Sequence, residues 1–358
     1  MNSPVANPAV VKVARQARGL SQAQLADQAD VSQAAVSKLE AGIMQPTAEL
    51  IEKLAGVLSF PVTLFYETDP IFGVPVSVSY RKRASVGARA IDRLEAEINL
   101  RLMHLRRLLS SIEHVPELPF PELDVDSFGG SGTRVAQLVR QHWGVPSGPL
   151  IDLTSLVERA GCIVLPCEFE SLGVDGLTLR PPGLPVCIFL NSSMPGDRQR
   201  FTLAHELGHA IMHRLPSAEM EQQADDFAAE MLMPARDMID AFASGISLAR
   251  LAALKPIWRV SMAALLYRAK ALGCISTPQS QALWRQMSAL GYRRQEPPET
   301  AVPAERATVF ADILRAYREE LGYSLSELAQ LLHMHADELR GKYGLIDKPP
   351  AVHLRLVK

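Results

Sequence analysis

The sequence predicts a mostly helical protein with a small β component, an α+β chain of several domains. Three observations carry this. Along much of the 358 residues apolar side chains return every three or four positions, as a helix with one buried stripe requires. Three short apolar or β-branched runs, at 162–165, 176–179 and 186–190, fit the strands of a small sheet. A stretch rich in proline and glycine, 115–132, and a proline-rich one, 295–303, interrupt the pattern where neither helix nor strand can continue. The length suits two or three domains of ordinary size.

Composition narrows the class. With 47% apolar and 21% charged residues the chain can bury cores and does not resemble a disordered protein. Aromatics are only 6%, so those cores are aliphatic. The net charge of −2 gives no overall attraction to nucleic acid, and a DNA partner must be met by a local surface. Residues 81–107 carry eight Arg or Lys against three acids. The four cysteines, Cys162, Cys167, Cys187 and Cys274, contain no C-x-x-C pair and read as reduced, buried thiols. Neither a secretory signal nor an 18-residue apolar run is visible, so a cytoplasmic protein without a membrane partner is expected.

In order, the expected parts are a domain over 1–70, a linker helix and Pro/Gly-rich linker over 71–132, a domain over 133–275, a linker over 276–304, and a C-terminal helical module over 305–358. The linker helix, at 83–112, carries Ile91, Leu94, Ile98, Leu102, Leu105 and Leu109 on one stripe. That stripe fits packing on a domain or pairing with a second chain. In the domain from 133, helices at 134–143 and 152–160 precede the strands. Helices at 198–213 and 218–232 follow them, and Pro234 stops the last.

In the first domain, Leu20-Ser21-Gln22-Ala23-Gln24-Leu25-Ala26 precedes Val31-Ser32-Gln33-Ala34-Ala35-Val36-Ser37-Lys38-Leu39-Glu40. Small Ala26 sits where two helices would cross, and Leu25, Val31, Val36 and Leu39 would lock them. Ser32 is a natural N-cap. Ser32, Gln33, Ser37 and Lys38 leave a polar outer face, where Gln33 fits adenine and Gln22 and Lys38 fit phosphates. The segment 9–66 resembles the Cro/repressor-type (XRE) helix-turn-helix family. That resemblance implies a five-helix DNA-binding domain, an operator in double-stranded DNA, and the homodimer usual for such readers. Its charge departs from a strong reader's, with five basic groups against seven acidic ones over residues 1–70.

In the second domain, His205 and His209 lie four apart on an expected helix, which puts both imidazoles on one face within reach of one ion. Glu206 lies beside them. Zinc lowers the pKa of a bound water to about 7, and Glu206 as general base would take its proton during attack on a peptide carbonyl. A catalytic zinc site wants a third protein ligand. Glu221 stands twelve residues past His209 on the next helix, with Asp225 one turn beyond; Glu219 and Glu230 are rivals. His213 continues the spacing but lies about 12 Å along the helix from His205, too far to share the ion, and reads as structural or as a support to the ligands.

Phe201-Thr202-Leu203-Ala204-His205-Glu206-Leu207-Gly208-His209, with Glu221-Gln222-Gln223-Ala224-Asp225-Asp226-Phe227-Ala228-Ala229-Glu230-Met231-Leu232-Met233-Pro234, resembles the signature of the ImmA/IrrE metallopeptidases. The resemblance spans about 134–272. It implies an α+β, zincin-like peptidase domain with His205, His209 and Glu221 as ligands of Zn2+, Glu206 as the catalytic acid, and Asp225 orienting a ligand histidine. It further implies a zinc endopeptidase that cleaves Cro-type repressors and relieves repression under stress. The substrate would be a separate repressor or another copy of this chain. The alternatives are a transcription factor whose peptidase-like domain only senses a ligand or metal, and an antitoxin-like repressor.

The helix-turn-helix pattern recurs near the C-terminus at an offset of 303: Leu25-Ala26 matches Leu328-Ala329, Val31 matches Met334 and Val36 matches Leu339. Leu251-Ala252 with Val260-Ser261 echoes it again. Asp337 and Glu338 make the last copy's second helix acidic, which favours a packing or dimer module over another DNA reader.

Overall fold

A computed structural model describes residues 5–73, 88–169 and 174–345; the expected basic residues Arg81, Lys82 and Arg83 lie outside them. The described residues form two compact units. One comes from the described residues within Met1–Gly73, Val86–Glu113 and Ala311–Lys358, the other from those within His114–Phe310.

The first unit opens with four short helices, each started by a local signal. α1 (Pro8–Ala17) has proline at its first position and the Asn7 side chain accepting from Ala9 N–H. α2 (Gln22–Gln28) begins with a reciprocal capping box between Ser21 and Gln24. Ser32 caps α3 (Gln33–Glu40) and Thr47 caps α4 (Ala48–Leu58). The fifth expected helix is a single 3-10 turn, Val62–Tyr66, started by Pro61. Leu25, Val36, Leu39, Ile51, Leu54 and Leu58 form the aliphatic core.

α5 (Ala88–Leu108) is the expected linker helix. Its apolar stripe stays within the chain: Leu94, Ile98, Leu102 and Leu105 are buried. Burial extends beyond that stripe, because Ala96, Leu100 and Met103 join the core of α1–α4. The C-terminal helices α14 (Val309–Glu319), α15 (Leu325–Leu331) and α16 (Ala336–Tyr343) complete this unit from Ala311 onward. The offset of 303 is visible in their geometry. Ser324 repeats the Ser21 capping box, His333 (φ 50°) repeats the left-handed Asp30 (φ 52°), and Met334 N–H to Ala329 O repeats Val31 N–H to Ala26 O.

In the second unit, the stretch 116–132 does not hang free. Glu117 and Leu118 N–H donate to Arg159 O, Leu123 N–H to Ile211 O, and Trp143 Nε1–H to Pro119 O. Its Leu118, Phe120, Leu123 and Phe128 cover the core, so its apolar residues outweigh the breakers between them. α6 (Gly132–His142) and α7 (Leu153–Arg159) lead into a three-stranded sheet. Its strands are β1 (Ile163–Cys167), β2 (Gly176–Leu179) and β3 (Cys187–Asn191), in the order β1-β3-β2, with β1 parallel and β2 antiparallel to β3. Cys162, Cys167 and Cys187 are buried and unbridged; burial pushes the Cys187 thiol up to about 12.

α8 (Gly196–Met212) packs on β2 and β3, and α9 (Met220–Leu232) packs on both α8 and α6. α8 is buried over most of its surface, with Thr202, Leu203, Ala204, Leu207, Ala210 and Ile211 all enclosed. α10 (Ala235–Phe242), α11 (Leu248–Trp258) and α12 (Met262–Ala271) follow. The expected linker over 276–304 instead contains a helix, α13 (Thr277–Ala289). Its start signal is a Ser276/Gln279 capping box with Pro278 in the first turn. Beyond it, Glu296 bonds Lys255 Nζ at 2.7 Å, and Lys255 Nζ also meets Asp197 at 2.6 Å. Glu305 pairs with buried Arg200 and accepts from Thr154. These paired charges tie the proline-rich strap to α8.

Candidate metal centre and nucleic-acid interface

α8 and α9 bring the expected ligands together. His205 and His209 project from successive turns of α8, with their Nε2 atoms 3.0 Å apart. Glu221, in the first turn of α9, sets one carboxylate oxygen 3.7 Å from His205 Nε2 and the other 3.7 Å from His209 Nε2. Donors 2.0–2.1 Å from a tetrahedral ion stand about 3.3 Å from one another, and these three separations bracket that value. Two imidazoles and a carboxylate are also a donor set zinc accepts. Among the described residues, this trio alone gathers three such donors within 4.8 Å. The rivals are placed otherwise: Glu219 stands at the start of α9, and Glu230 is buried against Arg268, Gln137 and Ala235 N–H.

The supporting residues explain the tightness of the α8–α9 contact. A side chain at Gly208 would press on the Phe227 ring at 3.1 Å. Asp225, one turn past Glu221, receives His205 Nδ1 at 2.8 Å. A neutral His205 that donates there leaves its Nε2 lone pair facing Glu221 and His209. His213 ends α8 in an extended conformation (φ −111°, ψ 109°) and its Nδ1 meets His209 Nδ1 at 2.9 Å.

Glu206 is buried on the sheet side of α8. Thr178 Oγ1 of β2 donates to Glu206 Oε2 at 2.8 Å. Gly176 makes room for it, since a Cβ there would lie 3.1 Å from Glu206 Cγ and 2.7 Å from Thr202 Cγ2. Burial raises the Glu206 carboxyl above its ordinary range, opposed by His205 and the Thr178 hydrogen bond. A carboxylate with raised proton affinity beside a two-histidine, one-carboxylate cluster is equipped to accept a proton. A groove of about 1080 Å³ runs past Phe201, Asp225, Asp226, Tyr267 and Arg294. Thr178, Gly176 and Gln223 left no signal in the sequence, because their roles depend on which strand and helix pack on α8.

In the first unit, Ser32, Gln33, Ser37 and Lys38 are exposed along α3. Ser32 also spends its oxygen on Ala35 N–H. Gln22 is turned otherwise: its Nε2–H donates to Glu40 Oε2 at 2.9 Å. Glu40 in turn takes a two-pronged bond from buried Arg15, at 2.6 and 2.8 Å, a pair 25 residues apart in sequence that fixes α3 on α1. Among the described basic residues of 81–107, three are paired within the unit. Arg101 pairs with Glu97, Arg106 with Asp69 and Arg107 with Glu67.

The two regions match known families separately. Residues 157–270 match the family model described as an IrrE N-terminal-like domain. Residues 11–65 match the family model described as a helix-turn-helix. No curated protein matches the chain. The chain therefore joins an XRE-type helix-turn-helix at residues 11–65 to an ImmA/IrrE-type, metallopeptidase-like domain at residues 157–270.

Proposed function

We propose that this chain is a cytoplasmic DNA-binding regulator whose second unit is a zinc endopeptidase that cleaves a repressor protein, and that cleavage relieves repression under stress. The observation that carries the reading is the meeting of His205, His209 and Glu221, with Glu206 held beside them by Thr178. Zinc held by those three residues would polarise a peptide carbonyl and acidify a water. Glu206, buried and raised in proton affinity, would accept that water's proton and return it to the departing amine. Asp225 holds His205 in the orientation that binding requires. β2 is an edge strand and carries Thr178. An extended segment adding to it by strand pairing would run past Glu206, so a flexible stretch of a repressor, or of a second copy, is the substrate class that fits.

The first unit would address this activity to an operator in double-stranded DNA through Gln33, Ser37 and Lys38 of α3, as a homodimer. Because residues 1–70 carry five basic groups against seven acidic ones, dimerisation would offset the weak phosphate attraction.

Zinc analysis and two substitutions test this. The purified chain should hold about one zinc, and Glu221→Ala should weaken it. Glu206→Gln should keep zinc and operator binding and lose cleavage of the repressor. Regulation unchanged in Glu206→Gln would exclude proteolysis as the mechanism and leave the domain as a sensor.

A further inference from the structure

Behind His209 lies a chain of contacts that the proposed mechanism does not use. His209 Nδ1 meets His213 Nδ1 at 2.9 Å, and His213 Nε2 meets Gln223 Oε1 at 2.9 Å. An imidazole pair facing through two Nδ1 atoms needs one proton between them, so one ring donates and the other accepts. The partner of His213 Nε2 decides which. If Gln223 presents its carbonyl oxygen, His213 carries its proton on Nε2 and keeps Nδ1 bare. His209 must then donate from Nδ1, which leaves its Nε2 lone pair facing His205 and Glu221. If Gln223 presented its NH2 instead, the sequence would reverse and put a proton on His209 Nε2.

We infer that Gln223 and His213 are positioning residues that fix His209 in its metal-binding tautomer, doing for His209 what Asp225 does for His205. The inference rests on the reading of His205, His209 and Glu221 as metal ligands. Packing supports it. Gln223 is 8% exposed, so its amide has few alternative partners. The turn that begins α6 lies against this residue: a Cβ at Gly132 would collide with the Gln223 backbone carbonyl, and one at Gly130 would stand 3.6 Å from the side-chain Nε2. Gly130 has φ +72°, a left-handed conformation that glycine adopts without strain. The glycines of this segment thus allow the backbone approach that confines Gln223. His213, by leaving the helix at its last turn, swings its ring between His209 and Gln223.

The test has a metal-free arm and a metal arm, both on the full chain. With 15N-histidine in the zinc-free protein, imidazole NMR should find His209 protonated on Nδ1 and His213 on Nε2, the proton between the facing Nε2 atoms of His205 and His209, 3.0 Å apart, being carried by His205. His209 protonated on Nε2 would overturn the inference without any variant having to fold. Zinc affinity is then read by competition with a chelator. Gln223→Met and His213→Ala should each weaken zinc binding roughly tenfold or more, and Gln223→Glu, an acceptor only, should restore it. Affinities equal to the unaltered chain's in both weakening variants would overturn the relay while leaving the metal centre standing. No uptake of zinc by the unaltered chain would sink the metal centre, and the relay with it.

Discussion

At the scale of single residues, the candidate site is a set of histidines and carboxylates whose orientations are fixed by neighbours. Asp225 faces His205, and Thr178 faces Glu206. Thr178 contributes a hydroxyl of the right reach to a buried carboxylate, a charge-assisted hydrogen bond of about 1.5–3 kcal/mol. Thr178→Val keeps the shape and removes the donor. It should lower repressor cleavage roughly tenfold or more while zinc affinity stays at the unaltered level, since Thr178 touches no ligand. A cleavage assay beside a zinc titration reads both. Equal loss of zinc and cleavage would instead mean that Thr178 holds the fold of the site.

At the scale of elements, the C-terminal helices are built into the DNA-reading unit, and Arg18 is the hub. Its guanidinium takes Glu338 of α16 with two bonds, at 2.9 and 3.0 Å, donates to Leu58 O and Ser59 O, and lies 4.0 Å above the Phe60 ring. Lys342 reaches Glu97 of α5, Tyr343 meets His104, and Tyr317 donates to Leu108 O. A fork of five donors serves these partners at once, which lysine cannot imitate. Arg18→Ala should destabilise the unit by about 2 kcal/mol, read by urea denaturation. Hydrogen exchange should quicken first in α15 and α16. Unchanged exchange there would show that apolar packing alone holds the module. Of the acids on α16, Glu338 is used in this packing, while Asp337 pairs with Arg340 of its own helix.

At the scale of the whole molecule, acid should attack the first unit through His104 and Glu97, alongside His333, which burial and then the Arg107 charge push down to about 4. Burial, and then the nearby Lys342 charge, pushes His104 well below its ordinary 6.5. Below pH 6.5 the unfolded chain therefore takes up a proton there that the folded chain refuses, and stability falls. Burial would raise Glu97, but Lys342 and Arg101 outweigh it and hold it at about 2 against an ordinary 4.5. Its contribution is present above pH 4.5 and is lost as pH falls from there toward 2. Both groups have depressed folded values, so the signs agree. Denaturation midpoints should decline as pH drops through 6.5 and again below 4.5. His104→Gln, which can still accept from Tyr343, should shrink the upper decline and leave the part that His333 contributes. A midpoint flat between pH 7 and 5 would contradict this.

The sequence by itself determined what depends on spacing along the chain. Ser32 as a cap, the i,i+4 pair His205 and His209, and the offset-303 repeat are set by residues within one or two helical turns of each other or by direct comparison of two segments, whereas Glu221, twelve residues past His209, is one of three acids that the spacing allows. Short-range hydrogen-bonding and helical periodicity carry that information without a fold. Only the tertiary structure decided the rest. The stripe of α5 fits a domain or a second chain equally well as a pattern, and packing chose the domain. The segment 115–132 reads as breakers, yet its Leu118, Phe120, Leu123 and Phe128 find a core to cover. Arg15 with Glu40, Thr178 with Glu206, and Gln223 with His213 join elements that nothing local brings together. Such pairs form when apolar burial has already placed their helices and strands, so their partners follow from packing rather than from spacing in the sequence.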